Sequence, residues 1–218
     1  LLKRLLRGYV SLSQPENRNP ASFTSTLLQH YPPRYPELSV NLYIGLLRGV
    51  NVGGHNKIKM DVLRALCAEL GFEDPRTYLQ SGNVVFGSAK TDAAGVAHSL
   101  ERAIETRCGF HSDVVLRTAA EMRAVVDGSP FAERADVEPA KLAVSFLAAD
   151  PGAEVWARVE AMKIEPEEMH HTAREMYVYF PNGQGRTKFP FAAVDRALKT
   201  PLTARNWNTV MALLAMAG

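Results

Sequence analysis

The chain has 218 residues, 46 % of them hydrophobic and 22 % charged, with two cysteines and a formal net charge of +2. That length and apolar content support a buried core in one large or two small domains, while no apolar run approaches the roughly 20 residues of a membrane-spanning helix. Cys67 and Cys108 have no CxxC or histidine-rich neighbourhood, which argues against a disulfide framework or structural zinc and for buried thiols in a reducing, cytoplasmic setting.

The charge is unevenly spread. The first 40 residues hold five basic side chains against two acidic ones, Glu16 and Glu37, and the remainder carries 20 basic and 21 acidic residues. The body is therefore not a generally basic, nucleic-acid-coating protein, and any polyanion site on it must be a local patch. Residues 1–40 contain Pro15, Pro20, Pro32, Pro33 and Pro36 without a sustained apolar period. They are expected to be a disordered or extraneous extension, with LLKRLLR at its start able to form a short basic amphipathic turn.

From Asn41 the pattern changes. Leu42 to Leu47 predicts a buried strand that runs into the glycine-rich loop Arg48 to Lys57. Met60 to Leu70 predicts a helix with Leu63, Leu66, Cys67 and Leu70 on one face and Gly71 as its left-handed stop. A hairpin follows, Thr77–Gln80 and Val84–Phe86 around Ser81, Gly82 and Asn83. Asp92 is placed as the N-cap of a helix to Cys108, and Asp113–Leu116 as a strand. Thr118 and Glu121 form a capping box for a linker helix that ends at Gly128.

The second half repeats the scheme. It predicts a strand at Lys141–Leu147, a helix capped by Asp150 with Pro151 in its first position, and strands near Glu168–His171 and Glu175–Phe180. The stretch NGQGRTK then leads to helices at Phe191–Leu198 and Asn206–Met216. The predicted class is α+β with two ferredoxin-like (α/β-plait) domains, 41–127 and 128–218, because the order βαββαβ is the plait order. The second domain is an incomplete match, since no final strand is visible.

The candidate site is a local one. The loop RGVNVGGHNKIK places Arg48, Asn51, Gly53, Gly54, Lys57 and Lys59 together without an acidic residue, a composition that suits an anion through converging amides and flanking cations. Its spacing matches neither GxxxxGK[ST] nor GxGxxG, so it selects no nucleotide class. The alternative is a structural crossover in which glycines take unusual φ values and Asn51 caps backbone groups. Gln80, Ser81, Gly82 and Asn83 at the hairpin tip join the site if the tip lies beside the loop, although turn chemistry alone explains them. Arg186, Lys188, Arg205 and Asn206 form a possible second cationic patch with Trp207 nearby; Trp207 is also at core spacing with Val210, Met211 and Leu214. His170 and His171 alternate on a strand and cannot chelate one metal together. The acidic clusters Glu133–Glu138 and Glu165–Glu168 have the pattern of surface charge. No metal and no cofactor are expected.

The segments LLRGVNVGGHNKIKM, LRALCAELGF, YLQSGNVVF, NGQGRTK and TARNWNTVMALL resemble the bacterial family called domain of unknown function 1697, in order from Leu42 to about Ala217. The resemblance implies two plait-like halves and an unestablished role, so it transfers no catalytic residues. His55 and Asn56 fill loop positions that are often basic or polar in the family. Three readings remain: a binding module for a phosphorylated small molecule or short nucleic acid, an enzyme for an anionic metabolite in an interdomain cleft, and a non-catalytic interaction scaffold.

Overall fold

A computed structural model describes residues 40–218. The expected N-terminal extension lies outside the described residues, apart from its last position. The first half contains β1 (Asn41–Leu47), α1 (Met60–Glu69), β2 (Glu73–Tyr78), β3 (Asn83–Ser88), α2 (Ala93–Cys108) and β4 (Val114–Thr118). Helix α3 (Ala119–Asp127) follows, then β5 (Leu142–Leu147), α4 (Ala153–Glu160), β6 (Glu168–His171), β7 (Glu175–Tyr179), α5 (Phe191–Leu198), β8 (Leu202–Asn206) and α6 (Trp207–Met216). The strands form two antiparallel four-stranded sheets with orders β2-β3-β1-β4 and β6-β7-β5-β8.

Strand β8 corrects the expectation that the second half lacks a final strand. Its alternation is inverted in polarity: Thr203 and Arg205 are buried while Ala204 between them is exposed. A period-2 pattern whose inward residues are polar gives no hydrophobic signal. Helix α4 also starts later than predicted. Gly152, at φ 86°, occupies the cap position and Asp150 accepts a hydrogen bond from the Gly152 amide, so Pro151 precedes the helix. On α4 the buried residues are Trp156 and Val159, with Val155 only partly covered; Met162, also partly covered, lies beyond the helix end. Asp92 precedes α2 but makes no side-chain cap bond.

Each sheet is buried on both faces, which explains why every residue of β3 and β5 is covered, the polar Asn83, Ser88 and Ser145 included. One face of the first sheet packs Tyr43, Val84 and Phe86 against Leu63, Leu66, Val96, Leu100 and Ile104 of α1 and α2. The equivalent face of the second sheet packs Val178 and Phe180 against Trp156, Val159, Val194 and Leu198 of α4 and α5. The remaining faces share one core, in which Ile44, Val85 and Val115 meet Val144, Phe146 and Tyr177 together with Met122 and Val125 of α3 and Val210 and Leu213 of α6.

Two buried arginines join the halves by a reciprocal exchange. Arg117 on β4 sits opposite Ile44 in register, and Arg205 on β8 sits opposite Val144. Arg117, 1 % exposed, donates to the carbonyl oxygens of Leu147 and Arg174 at 2.9 and 3.1 Å and to Glu175. Arg205, 6 % exposed, donates to the carbonyl oxygens of Leu47, Ser81 and Gly82 at 2.9, 3.1 and 3.2 Å and to Asn83 Oδ1. Each guanidinium from the last strand of one half thus ties down the end of the first strand and the hairpin of the other. The two differ in one respect: Glu175 neutralises Arg117, whereas Arg205 meets carbonyl and amide oxygens, and burial lowers its pKa to about 10.

The capping box of α3 is present. Thr118 Oγ1 accepts from the Glu121 amide at 3.1 Å while a Glu121 carboxylate oxygen accepts from the Thr118 amide at 2.7 Å. Partial burial opposes ionisation of Glu121, but the Thr118 amide and Arg174 outweigh it and hold the carboxyl below its ordinary value. A depressed folded-state pKa contributes stability above the unfolded value near 4.5 that is lost as pH falls through the folded value. Glu121→Gln should therefore lower the urea midpoint at pH 7 and lose less stability than the parent between neutral pH and pH 3. Arg205→Met should destabilise by at least about 2 kcal/mol, because it removes the donor to the Ser81 carbonyl and to Asn83 Oδ1 and one of two donors to the Leu47 and Gly82 carbonyls; urea titration at constant pH measures the difference.

Candidate functional site

The crossover Arg48–Lys59 is shaped by a series of left-handed residues: Gly49, Asn51, Gly53, Gly54 and Asn56 have φ of 66°, 55°, 58°, 81° and 48°. Glycine adopts this region without a Cβ clash, and asparagine is among the few other residues that tolerate it. Asn51 organises the loop. Its Nδ2 donates to the Ile58 and Gln80 carbonyl oxygens at 2.9 and 2.7 Å, and its Oδ1 accepts from the Ile58 amide at 3.0 Å. Asn56 Nδ2 closes the other side on the Gly49 carbonyl at 3.2 Å.

The hairpin tip lies against this loop. The Leu47 amide donates to the Gly82 carbonyl at 2.8 Å, and a Cβ placed on Gly82 would lie 2.4 Å from Val50 Cγ2 and 2.7 Å from Leu47 Cβ. Gly82 thus serves a close backbone approach as well as its φ of 72°. Between loop and tip is an open depression of about 480 Å³, lined by Asn51, Gly54, Lys57, Ile58, Lys59 and Gln80. Ile58 is buried, Lys57, Lys59 and Gln80 are exposed, and no acidic side chain among the described residues lines it. Lys57 and Lys59 form no ion pair among the described residues.

Other candidates are placed elsewhere or engaged internally. Arg48 faces the second half, where its guanidinium meets both carboxylate oxygens of Asp195 on α5 at 2.9 and 3.2 Å and Asp113 at 3.4 Å. Its charge is matched within the fold. Asn83 is fully buried, donating to the Tyr78 carbonyl and Ser81 Oγ at 2.8 and 3.0 Å and accepting from Arg205. Ser81 remains exposed but its hydroxyl serves Asn83.

The proposed second patch is not a surface cluster. Arg205 is interior, and Asn206 caps α6 by accepting from the Asn208 amide at 3.0 Å while donating to the Ala140 carbonyl at 2.8 Å. Arg186 and Lys188 stay exposed beside a short 3-10 turn, Gln184–Arg186. Trp207 is partly buried against the shared core, whereas Met211, expected on the same buried face, is exposed.

The histidines do alternate. His170 is exposed at the edge of Phe131, and His171 stacks on Trp156 at 4.1 Å and bonds Glu160 at 3.0 Å. Glu167, read as surface charge, is buried, with Thr187 donating to one carboxylate oxygen. Among the described residues, no group of three or more His, Cys, Asp or Glu side chains is arranged to hold a metal ion. Both cysteines are free thiols; Cys67 is buried and its pKa is pushed up to about 12 by desolvation.

Sequence reasoning found the loop and hairpin but missed the partners that fix their roles. Asp195 is remote from Arg48 in the chain and sits in an ordinary amphipathic helix, so nothing local marks it. Ile58 had a signal, a lone apolar residue between two lysines, that identifies a lining residue of the depression only once Asn51 is seen to bond it.

The fold and this loop lead to the family. The chain belongs to the family described as protein of unknown function (DUF1697), whose model matches residues 40–177. It is similar in structure to the conserved bacterial protein SP0830 from Streptococcus pneumoniae, with 26% sequence identity, a TM-score of 0.65, and coverage of 83% of this chain and 100% of that chain. No curated protein matches it.

The two kinds of glycine in the site are separable by experiment. Gly82→Ala should cost about 3 kcal/mol or more, from a left-handed alanine combined with overpacking against Val50 and Leu47. Gly54→Ala, with no atom within 4 Å of the added Cβ, should cost only about 1 to 2 kcal/mol for its φ. Equilibrium urea unfolding of both variants tests the contrast.

Proposed function

We propose that the protein is a binding module for an anionic ligand, either a phosphorylated small molecule or a short stretch of nucleic acid, seated in the depression between the Gly53 loop and the Gln80 tip. The observation that carries this reading is the pair Lys57 and Lys59, without ion-pair partners among the described residues, on the rim of an acid-free depression that the Asn51 side chain assembles. Lysines without ion-pair partners among the described residues suit an oxyanion.

The length of the crossover supports a role beyond chain connection. Twelve residues, Arg48–Lys59, join β1 to α1, whereas the equivalent connection from β5 to α4 is made by five, Ala148–Gly152. A strand-to-helix crossover of this kind needs only a few residues. The additional residues carry the left-handed asparagines, the paired glycines and the lysines.

Catalysis is the weaker reading. A reaction needs a base or nucleophile near the bound group, and among the described residues no carboxylate, histidine or thiol lines the depression. Arg205, which was to complete an interdomain site, is committed to the fold. A scaffold reading requires the lysines to be dispensable. We further read each half as a ferredoxin-like plait, 41–127 and 128–218; the sheet orders and the βαββαβ succession in both halves support this. The free thiols fit a reducing, cytoplasmic setting.

A thermal-shift panel of nucleotides, phosphorylated metabolites and short oligonucleotides tests the reading. A ligand at 100 times its Kd adds about 2.7 kcal/mol, which for a chain of this size raises Tm by about 5 to 10 °C. Lys57→Gln combined with Lys59→Gln should abolish the shift and leave the ligand-free Tm within about 1 °C. Silence across the panel, or a shift unaffected by the double substitution, would favour the scaffold.

A further inference from the structure

The two sheets end in four edge strands, β2, β4, β6 and β8, and three of these edges are blunted against pairing with another chain. Strand β2 is interrupted by a register shift between Glu73 and Arg76, around Pro75 and the left-handed Asp74 at φ 45°. Strand β6 is four residues long and carries Glu168, which Arg134 holds. On β4, amides that point away from β1 are stopped by carboxylates: Val114 donates to Glu101 at 2.8 Å and Thr118 to Glu121 at 2.7 Å.

Strand β8 has none of these devices. The Ala148 amide donates to the Pro201 carbonyl at 2.9 Å, which sets the phase of the ladder with β5. Thr203 and Arg205 therefore turn their backbone groups to β5, while Leu202, Ala204 and Asn206 turn theirs outward. None of these three amides has an acceptor among the described residues. The Ala204 carbonyl accepts from Arg205 at 2.8 Å and keeps a second lone pair. Ala204 itself is exposed, and from Thr200 to Gly218 the only charged side chain is the buried Arg205.

The outer edge of a strand is its own complement when two copies run antiparallel about a two-fold axis. We infer that β8 pairs with β8 of a second copy of this chain, centred on Ala204, joining two four-stranded sheets into one continuous sheet. Ala204 then lies opposite Ala204 and Leu202 opposite Asn206, so no charge meets its like. An edge built to select an unrelated strand would carry charges for that strand to match, and β8 presents none outward. One short strand pair is a small interface, so the dimer is weak and forms as concentration rises.

Sedimentation equilibrium of the full chain at up to about 0.5 mM, enough to reveal a Kd of about 100 µM, tests the inference. The weight-average mass should rise towards twice that of the monomer. Ala204→Pro removes the outward donor and leaves the bonds to β5 in place, so it should weaken association at least about tenfold while the chain stays folded. Ala204→Lys, which sets like charges opposite each other, should do the same without a backbone change. Cys67 is buried and Cys108 is partly exposed, so chemical linking is done with Cys108→Ser in the background. A short bis-maleimide should then join two copies of the Ala204→Cys variant, whose opposed Cβ atoms lie about 5 Å apart. It should not join copies of the Leu202→Cys variant, which are about 14 Å apart. A chain that stays monomeric throughout, whatever other strand it binds, would overturn the inference. So would a dimer that both Ala204 variants leave intact, or one that links through Leu202→Cys and not through Ala204→Cys.

Discussion

Two guanidinium groups, each buried in the half that did not supply its hydrogen-bond acceptors, hold this protein in its observed form. Arg117 reaches across to the end of β5 and the turn before β7, and Arg205 reaches back to the end of β1 and the turn before β3. At the hairpin turns the carbonyl oxygens of Gly82 and Arg174 each accept one backbone amide, from Leu47 and Leu147, and keep a second lone pair for a guanidinium. Arginine can satisfy several at once because its planar fork carries five donors and stays charged. Much of the remaining architecture follows from this exchange. It brings the inner faces of the two sheets into register around α3 and α6, so that neither sheet has a face left for solvent.

The candidate site depends on the same exchange. Arg205 fixes Gly82 and Asn83, the residues on which the hairpin turns, and Gly82 is packed against Val50 at the start of the crossover. The loop and the tip therefore sit together because an interior cation from the other half holds the tip from behind. Asn51 completes the junction from the solvent side by bonding Gln80. The depression has a rigid back and a polar, cationic rim, the arrangement expected of a preorganised binding surface. Removing charge at Lys57 and removing a donor at Arg205 are consequently different perturbations: one alters the rim, and the other loosens the frame beneath it.

The halves are alike in element order, sheet order and arginine placement but unlike at their crossovers. Where the first half has the long loop with Arg48 paired to Asp195, the second has Ala148 and a short turn.

The amino-acid sequence by itself determined most of the elements. The helix at Met60, the hairpin at Gly82, the capping box of Thr118 and Glu121 and the helix at Phe191 are written in local periodicity, caps and turn residues, whose physics spans a few neighbours. It also singled out the Gly53 loop, because glycines, asparagines and cations without acids are a local composition. Tertiary structure alone decided which cations are engaged within the fold. Arg48, Lys57 and Arg205 are indistinguishable as charges along the chain, yet one is matched by Asp195, one has no ion-pair partner among the described residues, and one is buried among carbonyl oxygens. The same limit hid β8, whose inward residues are polar because they bond the other half. Burial and pairing are properties of contacts between segments more than a hundred residues apart, and no local pattern records them.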